Sequence, residues 1–489
     1  MFNFKAVLSS VLVSIISCSF ASGLQVKADE TFESGKEAVA SIGAGWNLGN
    51  TLDAYGTWIN ASAGDYKAYE TAWQNPVTSK AMIDSVRDQG FNAIRIPVTW
   101  SQHIDSKGKV DKKWMARVKE VVDYAYDDGL YVILNVHHDT GEGGGDKVSW
   151  IFAENSTYKK TKKKFAGLWK EIANEFKDYG NRLLFEGYNE MLDKKNTWNA
   201  PTSSSSYKPV NEYAQLFVDT VRATGGNNAQ RNLIVNTYVA SIDQAVLDNF
   251  KIPSDSASGH LIAEVHCYSP WGFTGTSQSV TWTSVHNDFG DADRSEIDGI
   301  MSRLKSFGEK NNVPVIIGEY GAEFKNNEDQ IAAYASYFVD AAGSHGIKCF
   351  YWDNGDFKTS GEGGYAIFDR KAMTWKSSIV SAIVDAAGKY AQAPSQSEPS
   401  EPSEPSEPSE TEATAETTES TASTELPQTE ESQTEPSATE TAAATGTAPS
   451  EQVQQEDKFT LVPFIVIDSI LVATAVALVV YYIRKKNKT

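Results

Sequence analysis

Two carboxylates are distinguished by where the chain delivers them. Glu190 closes the run "LLFEGYNE", with the amide of Asn189 beside it, and Glu319 lies in "VPVIIGEYG". Each follows an apolar stretch of strand length, so each carboxylate arrives at the end of a buried strand. A single Glu in that position is ordinarily a strand meeting solvent. Two that face each other suit glycoside hydrolysis, in which one protonates the leaving oxygen and the other attacks the anomeric carbon. A gap of about 5–5.5 Å gives retention through a covalent intermediate, and a wider gap admits a water and gives inversion.

Other strand ends carry polar or aromatic groups: Asn50, Arg95, His137 and His138, His266 and Tyr268, and Trp352. His266 and Tyr268 are two apart and share a face, while Cys267 points the other way. Tyr268 is placed to hydrogen-bond a nucleophilic carboxylate and hold it ionised. Arg95 points inward on its strand, and a buried guanidinium needs an acid. Glu190, Glu319 or the upstream Glu186, which shares the face of Glu190, could serve. His137, His138 and His266 make a poor metal set, because they lack a helical His pair and catalytic zinc requires three firm ligands. No metal and no organic cofactor is expected. Trp352 offers a flat face to the C–H face of a sugar ring. Trp46, Trp58, Trp150 and Trp271 fall in or near the same rim, which reads as a cleft for a polymer.

Positioning these groups at one place requires a particular frame. Eight strand-like runs occur in order: "IGAGWNLGN", "FNAIRIPVTW", "LYVILNVHHD", "RLLFEGYNE", "RNLIVNTYVA", "HLIAEVHCYSP", "VPVIIGEYG" and "IKCFYWDNG". Helical periodicity fills the intervals, as in "KKWMARVKEVVDYAYDDG" and "KKFAGLWKEIANEFKDYG". Gly90, Gly129, Gly180 and Gly346 close helices just before the next strand. Strands alternating with helices pair in parallel. Eight such units over residues 29–393 predict a (β/α)₈ barrel, whose sites lie where strands end. The alternative, a doubly wound open sheet, has no Gly-rich phosphate loop to support it.

The ends of the chain read differently. Residues 1–28 carry Lys5, an apolar run from Ala6 to Cys18 and then small and polar residues, the pattern of a secretory signal peptide cut after Ala28. A lipoprotein site at Cys18 is the rival reading. Residues 394–457 contain "SEPSEPSEPSEPSE" and almost no large apolar residues, so they predict a disordered linker. Extended at ~3.1 Å per residue it reaches on the order of 200 Å. Leu461–Ile483 is long enough to cross a ~30 Å hydrocarbon core, with Tyr481 and Tyr482 at its edge. "RKKNKT" follows, so residues 458–489 read as a transmembrane anchor with a cytoplasmic tail, and everything before it lies outside. The expected location is the outer face of the membrane of a walled bacterium. "LPQTE" at Leu426 lacks the Gly of a sortase signal. The net charge of −20 is inflated by the acidic linker, and no basic patch favours nucleic acid. Cys267 and Cys349 read as buried free thiols. A monomer is expected.

The motifs "GWNLGNTLDA", "IRIPVTW", "VHHD", "YNE", "VHCY", "IGEYG" and "YWDNG" occur in the order found in glycoside hydrolase family 5, which this chain resembles over roughly residues 40–390. The resemblance implies a retaining (β/α)₈ enzyme with Glu190 as general acid/base and Glu319 as nucleophile. It implies that Asn189 binds the 2-hydroxyl of the reacting sugar, and that Arg95, His137, His266, Tyr268 and Trp352 surround that sugar. His138 matches a second His present in part of the family. The first motif is most similar to the branch of endoglucanases active on cellulose, mixed-linkage β-glucan and xyloglucan. The alternatives are an endo-β-1,4-mannanase, a xyloglucan-specific endoglucanase, or a surface glucan-binding protein.

Overall fold

The computed structural model describes residues 32–59, 65–277, 279–358 and 363–392. The chain divides into two units, 1–400 and 401–489, and every described residue belongs to the first. The expected signal peptide, linker and membrane anchor lie outside the described residues. Among the described residues, no helix is long and apolar enough to cross a membrane.

Each of the eight apolar runs contains one strand: β1 Gly45–Leu48, β2 Ala93–Ile96, β3 Tyr131–Asn135, β4 Leu183–Glu186, β5 Leu233–Asn236, β6 Leu261–His266, β7 Val315–Tyr320 and β8 Lys348–Asp353. They form a closed parallel barrel in sequence order. β8 returns to β1 with Asn47 opposite Trp352, which decides against the open sheet. The register slips in β6 between Val265 and His266 and in β7 between Ile317 and Tyr320. Both irregularities fall where these strands deliver His266 and Glu319 to the mouth.

The helices begin where the sequence supplies caps. Ser34 and Glu37 form a capping box on α1, Gly35–Ser41. Ser79 caps α2, Lys80–Asp88. The Asp111 carboxylate accepts from the backbone of Lys113 and Trp114 at the start of α3, Lys112–Asp127, satisfying donors that a helix start leaves unpaired. Gly90 and Gly129 follow α2 and α3 with φ of 99° and 86°, a conformation that costs glycine nothing. Gly180 is different. It has no positive φ, and its carbonyl accepts from Leu183 N and Arg231 Nη1.

The barrel interior is layered. Ala93, Ile133, Leu184, Ile234, Ile262, Ile316 and Phe350 fill its lower part, and Ala38 and Val39 of α1, with Ile42 just after it, close the floor. Each fully buried Ile or Leu contributes about 1.5–3 kcal/mol. One step up β1–β6 the inward positions turn polar, with Asn47, Arg95, Asn135, Glu186, Asn236 and Glu264 all fully buried, while β7 and β8 present Gly318 and Trp352 at that level. The apolar floor thus carries a polar ring, and the mouth lies above it.

Candidate active site

Arg95 is the hub of the ring. Its Nε and Nη2 donate to both oxygens of Glu186 at 2.6 and 2.9 Å. Nη2 also donates to Asn189 Oδ1 at 2.8 Å, and Nη1 donates to Asn47 Oδ1 at 3.0 Å and Glu319 Oε1 at 2.7 Å. Burial opposes the charge on Arg95, but Glu186, Glu264 and Glu319 hold it fully protonated. Glu186, the acid that pairs bidentately, also accepts from Asn135 and Asn236.

Above this hub the two candidate carboxylates converge. Tyr268 donates its hydroxyl to Glu319 Oε2 at 2.8 Å. His266 Nδ1 lies 2.9 Å from Glu190 Oε1 and 3.5 Å from Glu319 Oε2. Ligand oxygens of Glu190 and Glu319 and a ring nitrogen of His266 all fall within 4.8 Å of one another. Glu319 is nearly enclosed, whereas the Glu190 side chain keeps a fifth of its surface open. Burial raises the Glu190 carboxyl above its ordinary range, against the pull of His266. Burial would depress His266, yet the Glu319 charge and the contacts with Glu190 and Glu264 push it up to about 10. Burial and the Glu319 charge raise Tyr268 well above the usual phenol range, so it remains a donor.

Glu190, Glu319, His137, His138, His266, Tyr268 and Trp352 line one cavity of about 310 Å³. His137 stacks parallel to Trp352 with ring centroids 5.8 Å apart. Burial pushes its imidazole well below the ordinary value, so the ring is neutral. His138 sits against the edges of Tyr55 and Trp73, 3.8 Å from Asp53 Oδ2. Arg95 and Asn189 lie beneath the cavity and reach it through their partners. A larger groove, about 760 Å³, runs outside the barrel along α3 and holds none of these residues. Asp53, His137 and His138 also approach one another within 4.8 Å. There, Asp53 accepts from the backbone of Asn50 and Thr51, and Asn135 engages His137 Nδ1.

Some expected residues sit elsewhere. Asn50 follows the end of β1 in a left-handed turn, φ 57°, with its backbone held by Asp53 and Asn75, and it does not line the cavity. The β1 residue that reaches Arg95 is Asn47, because β1 ends at Leu48 and Asn47 is its inward position. Trp46, on the outward side of β1, is a core residue whose indole donates to Asp353. Trp58 is exposed and Trp150 donates to Asp139, and neither lines the cavity. Trp271 does, together with Trp198, Tyr365 and the left-handed Val239. Glu264, Asn135 and Asn236 were also missed. Period-two counting back from His266 and His137 places Glu264 and Asn135 on the site's face. Among the described residues, Cys267 and Cys349 are buried free thiols.

The family model described as Cellulase (glycosyl hydrolase family 5) matches residues 52–358. Endoglucanase A of Ruminococcus albus is 41% identical over 361 residues, 72% of this chain and 93% of that protein. A family 5 glycoside hydrolase of Prevotella bryantii, solved with a xyloglucan tetradecasaccharide, is 42% identical with a TM-score of 0.64, covering 73% of this chain and 99% of that one. A broad-specificity endoglucanase of Clostridium longisporum is 37% identical with a TM-score of 0.68, covering 74% and 100%.

Proposed function

The chain belongs to glycosyl hydrolase family 5, and from that premise we propose that this endo-β-glucanase cleaves internal β-1,4 bonds of several glucans with retention of configuration. The observation that carries the stereochemistry is the approach of Glu190 and Glu319 oxygens within 4.8 Å. Retaining pairs stand about 5–5.5 Å apart and inverting pairs about 6.5–9.5 Å. In the proposed reaction Glu319 attacks the anomeric carbon while Glu190 protonates the departing oxygen. Glu190 then takes a proton from water as that water displaces Glu319. A carboxyl raised by burial suits the acid step, and its basicity falls and rises with the charge on Glu319. Arg95 and Tyr268 aim one donor each at the Glu319 oxygens. Asn189, fixed by Arg95 beneath the cavity and next in the chain to Glu190, is assigned to the sugar 2-hydroxyl. Trp352, Trp271 and Trp198 supply apolar walls for sugar rings.

The substrates we assign are cellulose chains in soluble form, mixed-linkage β-glucan and xyloglucan. The support is likeness to the xyloglucan-bound enzyme of Prevotella bryantii and the broad-specificity enzyme of Clostridium longisporum. The test is reducing-sugar release by the full chain on each glucan and on mannan, with Glu319→Gln alongside. Activity on the glucans, lost in the variant, with the β-anomer formed first by proton NMR, supports the assignment. Activity on mannan alone, or the α-anomer first, refutes it. The leader, acidic spacer and apolar C-terminal segment read from sequence support a domain held outside the membrane by its C-terminus. Cell fractionation tests this: intact protein found only in the culture fluid would contradict it.

A further inference from the structure

His266 is engaged at both ring nitrogens. Nδ1 faces Glu190 Oε1 at 2.9 Å, and Nε2 faces Glu264 Oε1 at 3.2 Å. Glu264 is fully buried, two residues before His266 on the inward face of β6. Its Oε1 is 3.5 Å from Arg95 Nε, and its Oε2 has no hydrogen-bond partner among the described residues. The facing strand is cut away for it: a Cβ on Gly318 would lie 1.8 Å from Glu264 Oε1. Glu264 does not line the cavity, so its reach toward the reaction passes through the ring. Burying a third inner carboxylate beside Glu186 and Glu319 is costly, and a hydrophobic residue would fill the same space at lower cost.

We propose that Glu264 is a positioning residue that keeps hydrogen on His266 Nε2, so that His266 Nδ1 and Glu190 Oε1 share one transferable proton. The proposal rests on the reading of Glu190 as acid/base. With Nε2–H pinned to Glu264, the ring can gain or lose a proton only at Nδ1. When the shared proton is on Glu190, Nδ1 accepts from it. When it is on Nδ1, the imidazolium donates to the Glu190 carboxylate. In the first step the bond from C1 to the departing oxygen breaks, a Glu319 oxygen bonds to C1, and the shared proton goes to the departing oxygen. A Glu190 carboxylate then faces the bare Nδ1 lone pair, and the pair becomes a strong base. In the second step a water oxygen bonds to C1, the Glu319–C1 bond breaks, and one water proton restores the pair. Without Glu264 the ring is free to adopt the other tautomer, with hydrogen fixed on Nδ1 as a permanent donor to Glu190.

The groups that face the ring are Glu264 on β6, Glu186 and Glu190 at β4, and Glu319 on β7, whose Oε2 also accepts from Tyr268. Arg95 from β2 and His137 from β3 complete the set. The carboxylates favour the shared proton, and Arg95 oppose its charge together with burial. Removing the Glu264 charge therefore lowers the proton affinity of the pair.

The test uses the full chain and Glu264→Gln. The alkaline limb of kcat/KM on soluble β-glucan is expected to move down by about one pH unit. With aryl β-cellobiosides, the loss is expected to grow to about tenfold or more as the leaving group becomes more basic, and a dinitrophenyl glycoside stays near the unaltered rate. An unmoved limb with an equal loss for every leaving group overturns the proposal and makes Glu264 a packing residue. A second measurement does not depend on the variant folding. Nitrogen-15 NMR of the seven histidines in the unaltered chain, with His266 identified by its absence in His266→Asn, is expected to show Nε2 protonated from ~pH 5 to 9. A bare Nε2 overturns the proposal. If the unaltered chain hydrolyses no glucan, the functional assignment falls, while the ring tautomer still decides this inference.

Discussion

Arg95→Lys separates the charge of the hub from its shape. The guanidinium donates five hydrogen bonds to four residues: two to Glu186 and one each to Asn189, Asn47 and Glu319. An ammonium keeps the charge but has only three donors, at one point rather than on a planar fork. At least two of the five contacts are lost. Hydrogen bonds involving charged groups contribute about 1.5–3 kcal/mol each, so the combined loss is about 3–6 kcal/mol. It is shared between folding, through Glu186, and catalysis, through Asn189 and Glu319. Urea unfolding is expected to show about 3 kcal/mol less stability, within the range for a disrupted buried pair. The kcat/KM on soluble β-glucan is expected to fall about 100-fold or more, which corresponds to at least ~2.7 kcal/mol. Near-native stability and rate in Arg95→Lys would refute the reasoning, because a point charge would then suffice and the five-bond geometry would be incidental.

Tyr268→Phe removes one donor to Glu319 and little volume. We expect kcat/KM to fall about 10- to 150-fold, the worth of one hydrogen bond to a charged group, with the thermal midpoint nearly unchanged by calorimetry. Trp352→Ala removes the wall stacked on His137. It should raise KM more than it lowers kcat, a loss of uniform binding that steady-state kinetics would resolve; a fall in kcat alone would contradict this. Gly318→Ala places a methyl where Glu264 Oε1 lies. Overpacking of this kind costs about 1–3 kcal/mol or more, so unfolding should come at lower urea and activity should drop with it. Exhaustive dialysis against a chelator is expected to leave kcat unchanged, because the Glu319 oxygens are already engaged by Arg95 and Tyr268. Recovery of lost activity on adding a divalent cation would show otherwise.

The course of β4 shows how far periodicity carries. Alternation from Glu186 would point Tyr188 into the barrel. Instead Tyr188 is buried against the helix side, donating to Asn236 O and Val210 O. The chain leaves strand geometry after Glu186, so Asn189 and Glu190 both reach the mouth, one toward Arg95 and the other toward His266. β1 shows a related limit. Its last polar residue in sequence is Asn50, but strand pairing ends at Leu48 and the inward amide is Asn47. Aromatic residues were the least legible group. Trp46 and Trp352 pair to neighbouring positions of adjacent strands, yet Trp46 faces outward into Phe368 and Trp375 while Trp352 faces the cavity.

The eight apolar runs and the polar residues that close them were enough, by themselves, to predict a parallel barrel and to place Glu190, Glu319, His266 and Tyr268 at strand ends, while closure of β8 onto β1 was decided by the tertiary structure. Both follow from local rules: strand length, helix caps, and the delivery of strand ends to a single rim. What the sequence could not decide is anything that depends on contacts across the barrel. The distance between Glu190 and Glu319, the five hydrogen bonds of Arg95, and the packing of Glu264 against Gly318 each join residues far apart in the chain. Their geometry is set by strand stagger and by two register slips, and these exist only once the sheet has closed.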